Sequence, residues 1–394
     1  MRTELIGSLG ILAVVAFNVG ACATGGATGG MSNPETAGQQ QPTNVYSAVS
    51  ASWGHTCAIS TAGRVECWGL NNNGQVGDGT TTNRNAPTQV IGLESGVSAI
   101  TLGRDHTCAL TKSGGVRCWG YNWGRLGDGT TDSRNVPTQV SGLESGVSAI
   151  SSGSTLTCAL TTAGGVKCWG VNGDGQLGDG TTTDRTLPTQ VSGLQSGITA
   201  VSSGADHACA LTTAGKIKCW GNNEDGQLGD GTTSNRLLPT QVSSLESSVS
   251  AISSGYYHTC ALMTTGGVKC WGSNQHGQLG DGTTTKRQVP TQVKGLESGV
   301  SAISAGSHNT CALTKTGGVK CWGHNDFGQI GDGTTTSRSE PTQVSGLESG
   351  VTSIAAGTQH TCAIQSPGIV RCWGNNGLGQ LGDGTTNIKH RPLD

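Results

Sequence analysis

Fourteen of the fifteen cysteines fall into seven pairs ten positions apart: Cys57 with Cys67, Cys108 with Cys118, Cys158 with Cys168, Cys209 with Cys219, Cys260 with Cys270, Cys311 with Cys321, and Cys362 with Cys372. Such thiols could hold zinc, act as nucleophiles or pair as disulfides. Zinc sites favour closely spaced cysteines in sets of four, whereas a spacing of ten supplies two ligands and no third. Identical nucleophiles in every copy would serve no single reaction centre. Across an antiparallel hairpin, residues 108 and 118 stand directly opposite, and opposed Cβ atoms lie about 4.5–5.5 Å apart. A disulfide needs roughly 3.8 Å, a modest pinch. The pattern predicts seven disulfides, each within one repeat.

Two other residue types recur at fixed offsets. Two positions before the first cysteine stand His55, His106, His207, His258 and His360, with Leu156 and Asn309 in the remaining copies. A ring of imidazoles could bind a metal ion. The two gaps, and the lack of a carboxylate in register to orient the rings, point instead to buried, hydrogen-bonded histidines. Each Gly-Asp-Gly supplies an aspartate (Asp78, Asp128, Asp179, Asp230, Asp281, Asp332, Asp383), followed six residues later by Arg84, Arg134, Arg185, Arg236, Arg287, Arg338 or Lys389. Acid–base catalysis needs carboxylates in unequal environments, not seven equivalent ones. Calcium is conceivable at Asn172, Asp174 and Asp179, but their spacing departs from the calcium-loop pattern. These aspartates read as loop-fixing partners of the arginines, and no metal, cofactor or catalytic residue is expected.

Elements that repeat must position these residues. First cysteines fall at 57, 108, 158, 209, 260, 311 and 362, a period of 51 with one step of 50. A period near fifty signals an array or a propeller. In the unit 137 to 185, strand candidates run from Pro137 to Val140, Val147 to Ser151, Thr157 to Thr161 and Val166 to Gly170, separated by Gly, Asn, Asp and Thr clusters that are turn chemistry. Four short strands per copy predict an all-β, seven-bladed β-propeller, whose blades shield one another's edges. The 66 glycines and 33% hydrophobic content suit a core of small residues, with the Trp after each second cysteine as the large blade-to-blade contact. Neither chain end is singled out to complete the closing blade. Net charge is −2, with basic residues scattered singly, which leaves no footprint for nucleic acid.

The blocks Gly-x-x-His-Thr-Cys-Ala-Leu, Gly-Gly-Val-Lys-Cys-Trp-Gly and Asn-x-x-Gly-Gln-Leu-Gly-Asp-Gly resemble repeats of the regulator of chromosome condensation family, over residues 44 to 394. The resemblance implies a seven-bladed propeller. The family's founding member is a nuclear nucleotide-exchange factor for a small GTPase. Other members are extracellular binders, including a bacterial propeller that inhibits β-lactamases. Membership therefore bears on architecture more than on activity.

Residues 1–21 read as a lipoprotein-type signal peptide, with Arg2, an apolar run from Leu9 to Phe17 too short to span a bilayer, and Val19-Gly20-Ala21-Cys22 resembling the bacterial lipoprotein box. Cys22, the cysteine left without a partner, is the expected lipidation site. Residues 22–43, almost without apolar content, read as a flexible tether, and residues 44–394 as the propeller. The expected location is the cell envelope, lipid-anchored on the outer membrane or cell surface and extracytoplasmic, where disulfides persist.

In each hairpin the residues before the histidine position oppose those after Trp-Gly, as Asp105 opposes Tyr121. Both stretches gather on one face of the ring, and there the copies stop resembling one another. Trp53, Tyr121, Trp123, Tyr256, Tyr257 and Phe327 fall on that face, while the opposite turns repeat Thr, Ala, Ser and Gly. Aromatic side chains are the usual anchors of interfaces, and loops on a rigid scaffold carry binding residues. The expected function is a monomeric binding scaffold presenting this face to a protein or glycan partner. The alternatives are guanine-nucleotide exchange, from which a secretion signal separates the chain, and a secreted propeller hydrolase or lyase, for which no catalytic constellation is visible.

Overall fold

The computed structural model describes residues 44–245 and 247–392; the signal, Cys22 and the tether lie outside the described residues. Blade 1 is built from β1 (Tyr46–Ala51), β2 (His55–Ser60), β3 (Val65–Gly69) and β4 (Arg84–Gln89), paired antiparallel in sequence order. Blades 2 to 6 repeat that order, and the described residues contain no helix. The innermost strands, β1 and its counterparts, line the central axis. The segment beginning at Pro137 belongs to the outer strand Arg134–Gln139 of blade 2. Its proline is tolerated because an outer strand has a free edge, where a missing N–H breaks no ladder.

Blade 7 has three strands, β25 (Val351–Ala356), β26 (His360–Gln365) and β27 (Ile369–Gly374), and its fourth position is held by a single bridge between Gly374 and Lys389. Each blade thus takes its strands from one stretch of chain, and the ring closes by β1 lying against β25 and β26. Glu66 of β3 ties the start of β1 to its own blade. Its buried carboxylate accepts hydrogen bonds from Asn44 Nδ2 and Tyr46 Oη and pairs with Arg64 at 2.8 Å.

The hydrophobic core lies between blades, not within them. Cys108 and Cys118 of blade 2 pack with Ala159 and Trp169 of blade 3, and the same grouping recurs around the ring. Side chains alternate across a strand, so the disulfide of each blade faces forward and its Trp faces back. All seven predicted disulfides form. Cys57 is bonded to Cys67, Cys108 to Cys118, Cys158 to Cys168 and Cys209 to Cys219. Cys260 is bonded to Cys270, Cys311 to Cys321 and Cys362 to Cys372. In every blade the two cysteines are directly opposed in the ladder, with Cα atoms 4.1 Å apart, closer than the spacing expected for an unlinked pair. Every motif Trp is at most 1% exposed, and its Nε1–H donates to a loop carbonyl of the preceding blade, as Trp119 does to Gln75 O at 2.9 Å.

The repeated histidines sit in the same interfaces. His106 Nε2 meets Thr157 Oγ1 of blade 3 at 2.9 Å, and Thr157 Oγ1–H donates to Arg125 O, the carbonyl that also accepts Trp169 Nε1–H. Since the threonine proton is committed to the carbonyl, the imidazole must donate through Nε2–H, which leaves Nδ1 unprotonated. The arrangement recurs at His55–Thr107, His207–Thr259, His258–Thr310 and His360–Thr56. Burial drives all five histidines down to a pKa of about 3, so they are neutral. Between blades 3 and 4 the pair is replaced as a unit: Leu156 stands for His and Ala208 for Thr, both buried in one apolar cluster. Asn309 keeps the polar character without the reach, and its amide has no hydrogen-bond partner.

The inner strands are joined by hydroxyls. The backbone N–H groups of Ser203, Ser254, Ala305 and Ala356 donate to Ser151, Ser202, Ser253 and Ser304 Oγ of the preceding blades at 2.8–2.9 Å. Glycine is required where a histidine ring lies against the end of the inner strand: a Cβ on Gly103 would come 2.1 Å from His106 Cε1.

Candidate binding face

Two kinds of loop build the face singled out by the sequence. Short connections from inner to second strand carry Trp53, Arg104-Asp105, Asp206, Tyr256-Tyr257 and His308; long connections from third to fourth strand carry Tyr121, Trp123, His276, His324 and Phe327. The two loops of one blade are tied together, as Tyr121 N–H donates to Asp105 O at 2.8 Å. The turn out of the third strand needs Gly120, whose φ is +101° and whose Cβ would stand 2.6 Å from Asp105 O.

The long loops hold their shape through residues that are not available to a ligand. Asn71 is fully buried; its Nδ2 reaches Asp78 Oδ1, Thr80 O and Thr82 O, and its Oδ1 accepts Val76 N–H. Each Gly-Asp-Gly aspartate pairs with its Arg or Lys at 2.5–3.1 Å. Burial pushes the Asp78 carboxyl up, but hydrogen bonds from Thr80 and Arg84 outweigh it and leave the pKa below the usual carboxylate value. In blade 3, Asn172 spends its amide in the same way, and Asp174 accepts from Asn235 of the next blade at 2.8 Å.

Upon this frame the structure brings the six predicted aromatics into separate groups. Trp53 is covered by the Arg104 guanidinium, 5.3 Å from the ring centroid. Tyr121 and Trp123 lie 6.4 Å apart, with Arg125 over Tyr121 at 5.0 Å. Tyr256 and Tyr257 meet edge to face at 6.2 Å. Tyr256 borders the mouth of the central channel, a cavity of about 80 Å³ rimmed by Arg104, Ser307 and Thr358. Phe327 stands apart and has no ring contact among those found on the face.

Between these aromatics lie charged and imidazole groups from the same variable stretches of sequence, Arg104, Asp105, Asp206, His276, His308 and His324, joined by Arg125. Blade 2 is the irregular blade: from Gly120 to Asp128 its long loop is one residue shorter than the stretch from Gly170 to Asp179, and Arg125 takes the place of a glutamine. The step of 50 in the repeat marked this loop. The shortening leaves Trp123 with φ of 40° and 61% exposed. Such a conformation is costly for a bulky residue. Burial raises Asp105, partly offset by Arg104 and Arg125. Burial also raises Asp206, opposed by a hydrogen bond from Thr155 Oγ1 at 2.7 Å.

Across the ring, Tyr257 stacks on His308 at 5.7 Å, His308 lies 5.1 Å from His276, and His276 4.6 Å from His324. These rings come from four loops of blades 5 and 6 and continue the Tyr256–Tyr257 pair as one ribbon. Burial and the two neighbouring imidazoles lower His308 to about 4. Among the described residues, no group of three or more His, Cys, Asp or Glu side chains is arranged to hold a metal ion.

The chain matches the model for the RCC1-like domain over residues 188–393 and that for the regulator of chromosome condensation (RCC1) repeat over 62–110, 113–160 and 163–211. It is 33% identical over 352 residues to the ultraviolet-B receptor UVR8 of Arabidopsis thaliana, covering 87% of this chain and 80% of that protein. Among solved structures, human WBSCR16 matches with a TM-score of 0.75 at 23% identity, covering 84% of this chain and 94% of that one. Prp20p of Saccharomyces cerevisiae, a structure described together with its binding to Gsp1p and histones, matches with a TM-score of 0.72 at 23% identity, over 92% and 90%. At those identities the structural likeness speaks for the fold alone. The domain model spans more than half of the chain and the plant receptor matches across most of its length, so the chain belongs to the regulator of chromosome condensation (RCC1) repeat family.

Proposed function

We propose that the protein is a non-enzymatic binding scaffold that presents the face of Trp53, Tyr121, Trp123, Tyr256, Tyr257 and Phe327 to a protein or glycan partner. One observation carries this reading: aromatic and charged side chains that differ between copies gather on one face of the ring, while the hairpin turns of the opposite face repeat Thr, Ala, Ser and Gly. Exposed Trp123 and Tyr257 are the large apolar groups of that face, the kind of side chain that dominates binding energy. Protein binding by Prp20p, a propeller of the same fold, agrees with a macromolecular partner. We also propose an extracytoplasmic position on a Cys22 lipid and the tether that follows it. The seven disulfides support it, because such bonds persist in oxidising compartments.

The test is affinity capture from cell envelope and culture medium with the secreted Cys22→Ala chain, beside the same chain carrying Trp123→Ala and Tyr257→Ala. A partner retained by the first and lost by the second supports the reading. A partner retained equally by both, but lost on substitution of Lys112 and Lys315 at the opposite turns, overturns it.

A further inference from the structure

In six of the seven long loops a glutamine fixes the chain by accepting the backbone N–H two residues before it: Gln75 from Asn73, Gln176 from Asp174, Gln227 from Asp225, Gln278 from His276, Gln329 from Phe327 and Gln380 from Leu378. With Oε1 so engaged, the amide orientation is set and Nε2–H₂ must point the other way. In blades 1, 5 and 7 that group meets no partner. In blade 3 it approaches Thr155 Oγ1, and in blade 4 it donates to Asn222 Oδ1. Only in blade 6 does it meet a titratable group: Gln329 Nε2 lies 2.8 Å from His324 Nδ1.

That contact determines the state of the ring. Gln329 donates, so Nδ1 carries the lone pair and the proton of neutral His324 is on Nε2, which faces Asp326 Oδ2 at 3.0 Å. Both nitrogens are occupied, and the next proton can only go to Nδ1. There it would face the two amide hydrogens of Gln329, donor against donor. Gln329 is fully buried, so water does not take over. The amide can meet the new N–H only by turning Oε1 toward it, and Phe327 N–H then loses its acceptor.

We propose that His324 and Gln329 form a proton-operated latch on the binding face: protonation of His324 at Nδ1 reverses the Gln329 amide and releases the loop segment that carries Phe327. Asp326 Oδ2 faces the other ring nitrogen, and the His276 and His308 ring centroids lie 4.6 and 6.4 Å from that of His324. Tyr257, the exposed aromatic of this ribbon, stacks on His308 at 5.7 Å. The consequence, affinity of this face that changes with acidity, rests on the function proposed above; the latch itself does not.

The experiment needs no partner. The secreted chain is titrated from about pH 7.5 to about pH 5, the range in which histidines ordinarily gain a proton. The His324 imidazole and the Phe327 amide are followed by NMR, together with hydrogen exchange at Phe327. The expected result is one shared midpoint for both signals and at least tenfold faster exchange at Phe327 on the acid side. His324→Asn should flatten the Phe327 response. Gln329→Glu, which offers one oxygen to each N–H, should hold Phe327 protected throughout. A Phe327 amide that does not move with His324, or that moves equally in His324→Asn, overturns the latch. Those outcomes leave the binding face standing, and loss of the binding face leaves them unaffected.

Discussion

His207 Nε2 stands 2.9 Å from Thr259 Oγ1 of the next blade, and one interface earlier the same two positions hold Leu156 and Ala208. The chain therefore offers both a polar and an apolar solution to one buried contact. Thr259→Ala alone strands a buried imidazole N–H and should cost about 1–3 kcal/mol. His207→Leu combined with Thr259→Ala should recover most of that loss, because the unpartnered donor goes with the ring. Denaturant midpoints of the single and double variants measure the coupling; strictly additive losses would show that the two side chains act independently.

Acid should unfold this protein early. The five relay histidines have folded-state values of about 3 against an ordinary 6.5. The unfolded chain takes up protons first, so their contribution is complete above pH 6.5 and is lost as pH falls toward 3. Each histidine withdraws up to about 1.4 kcal/mol per pH unit within that window. Unfolding midpoints should drop steeply from about pH 6 to about pH 4. The variant combining His207→Leu with Thr259→Ala should show a slope smaller by one proton.

Non-reducing peptide mapping should recover the seven bridges from Cys57–Cys67 to Cys362–Cys372, those of Cys158–Cys168, Cys260–Cys270 and Cys311–Cys321 among them, with Cys22 in none. Replacing one pair, Cys209→Ala with Cys219→Ala, should cost no more than about 2–3 kcal/mol, since the hairpin already restricts so short a loop. A linkage between repeats would contradict the opposed register of all seven pairs.

Trp123→Gly separates binding from stability. Glycine adopts the φ of 40° without penalty, and the exposed ring contributes little packing, so the melting temperature should hold or rise. Partner affinity should fall at least about tenfold, the loss of an aromatic hot spot. A fall in melting temperature with unchanged affinity would make Trp123 a structural residue.

The ring was legible because its signals are local: a period near 51, turn residues between short strands, and cysteines that oppose each other within one hairpin. The histidine partners were not, since four of the threonines lie about one repeat further on and the fifth, Thr56, near the other end of the chain, each next to the first cysteine of its own copy. Only the joint departure of Leu156 and Ala208 betrayed the pairing. Hairpin register suffices to put Trp53 and Tyr121 on the same face of the ring. The Arg104 cover of Trp53 and the clustering of His276, His308 and His324 depend on how neighbouring blades pack, and the Arg125 cover of Tyr121 on the path of one shortened loop. Phe327 joins the aromatic set by position alone, and the structure leaves it apart.

Every disulfide joins cysteines ten residues apart, whereas the next repeat lies some fifty residues further on. Closing the nearer pair is entropically favoured, and its hairpin is complete as soon as its own strands exist. A chain emerging in order from its amino terminus therefore gives each thiol of the ring its correct partner before the thiols of the next repeat arrive. Oxidation can keep pace with emergence, blade by blade, without a reshuffling step, and what remains for the finished chain is to bring β1 and β25 together.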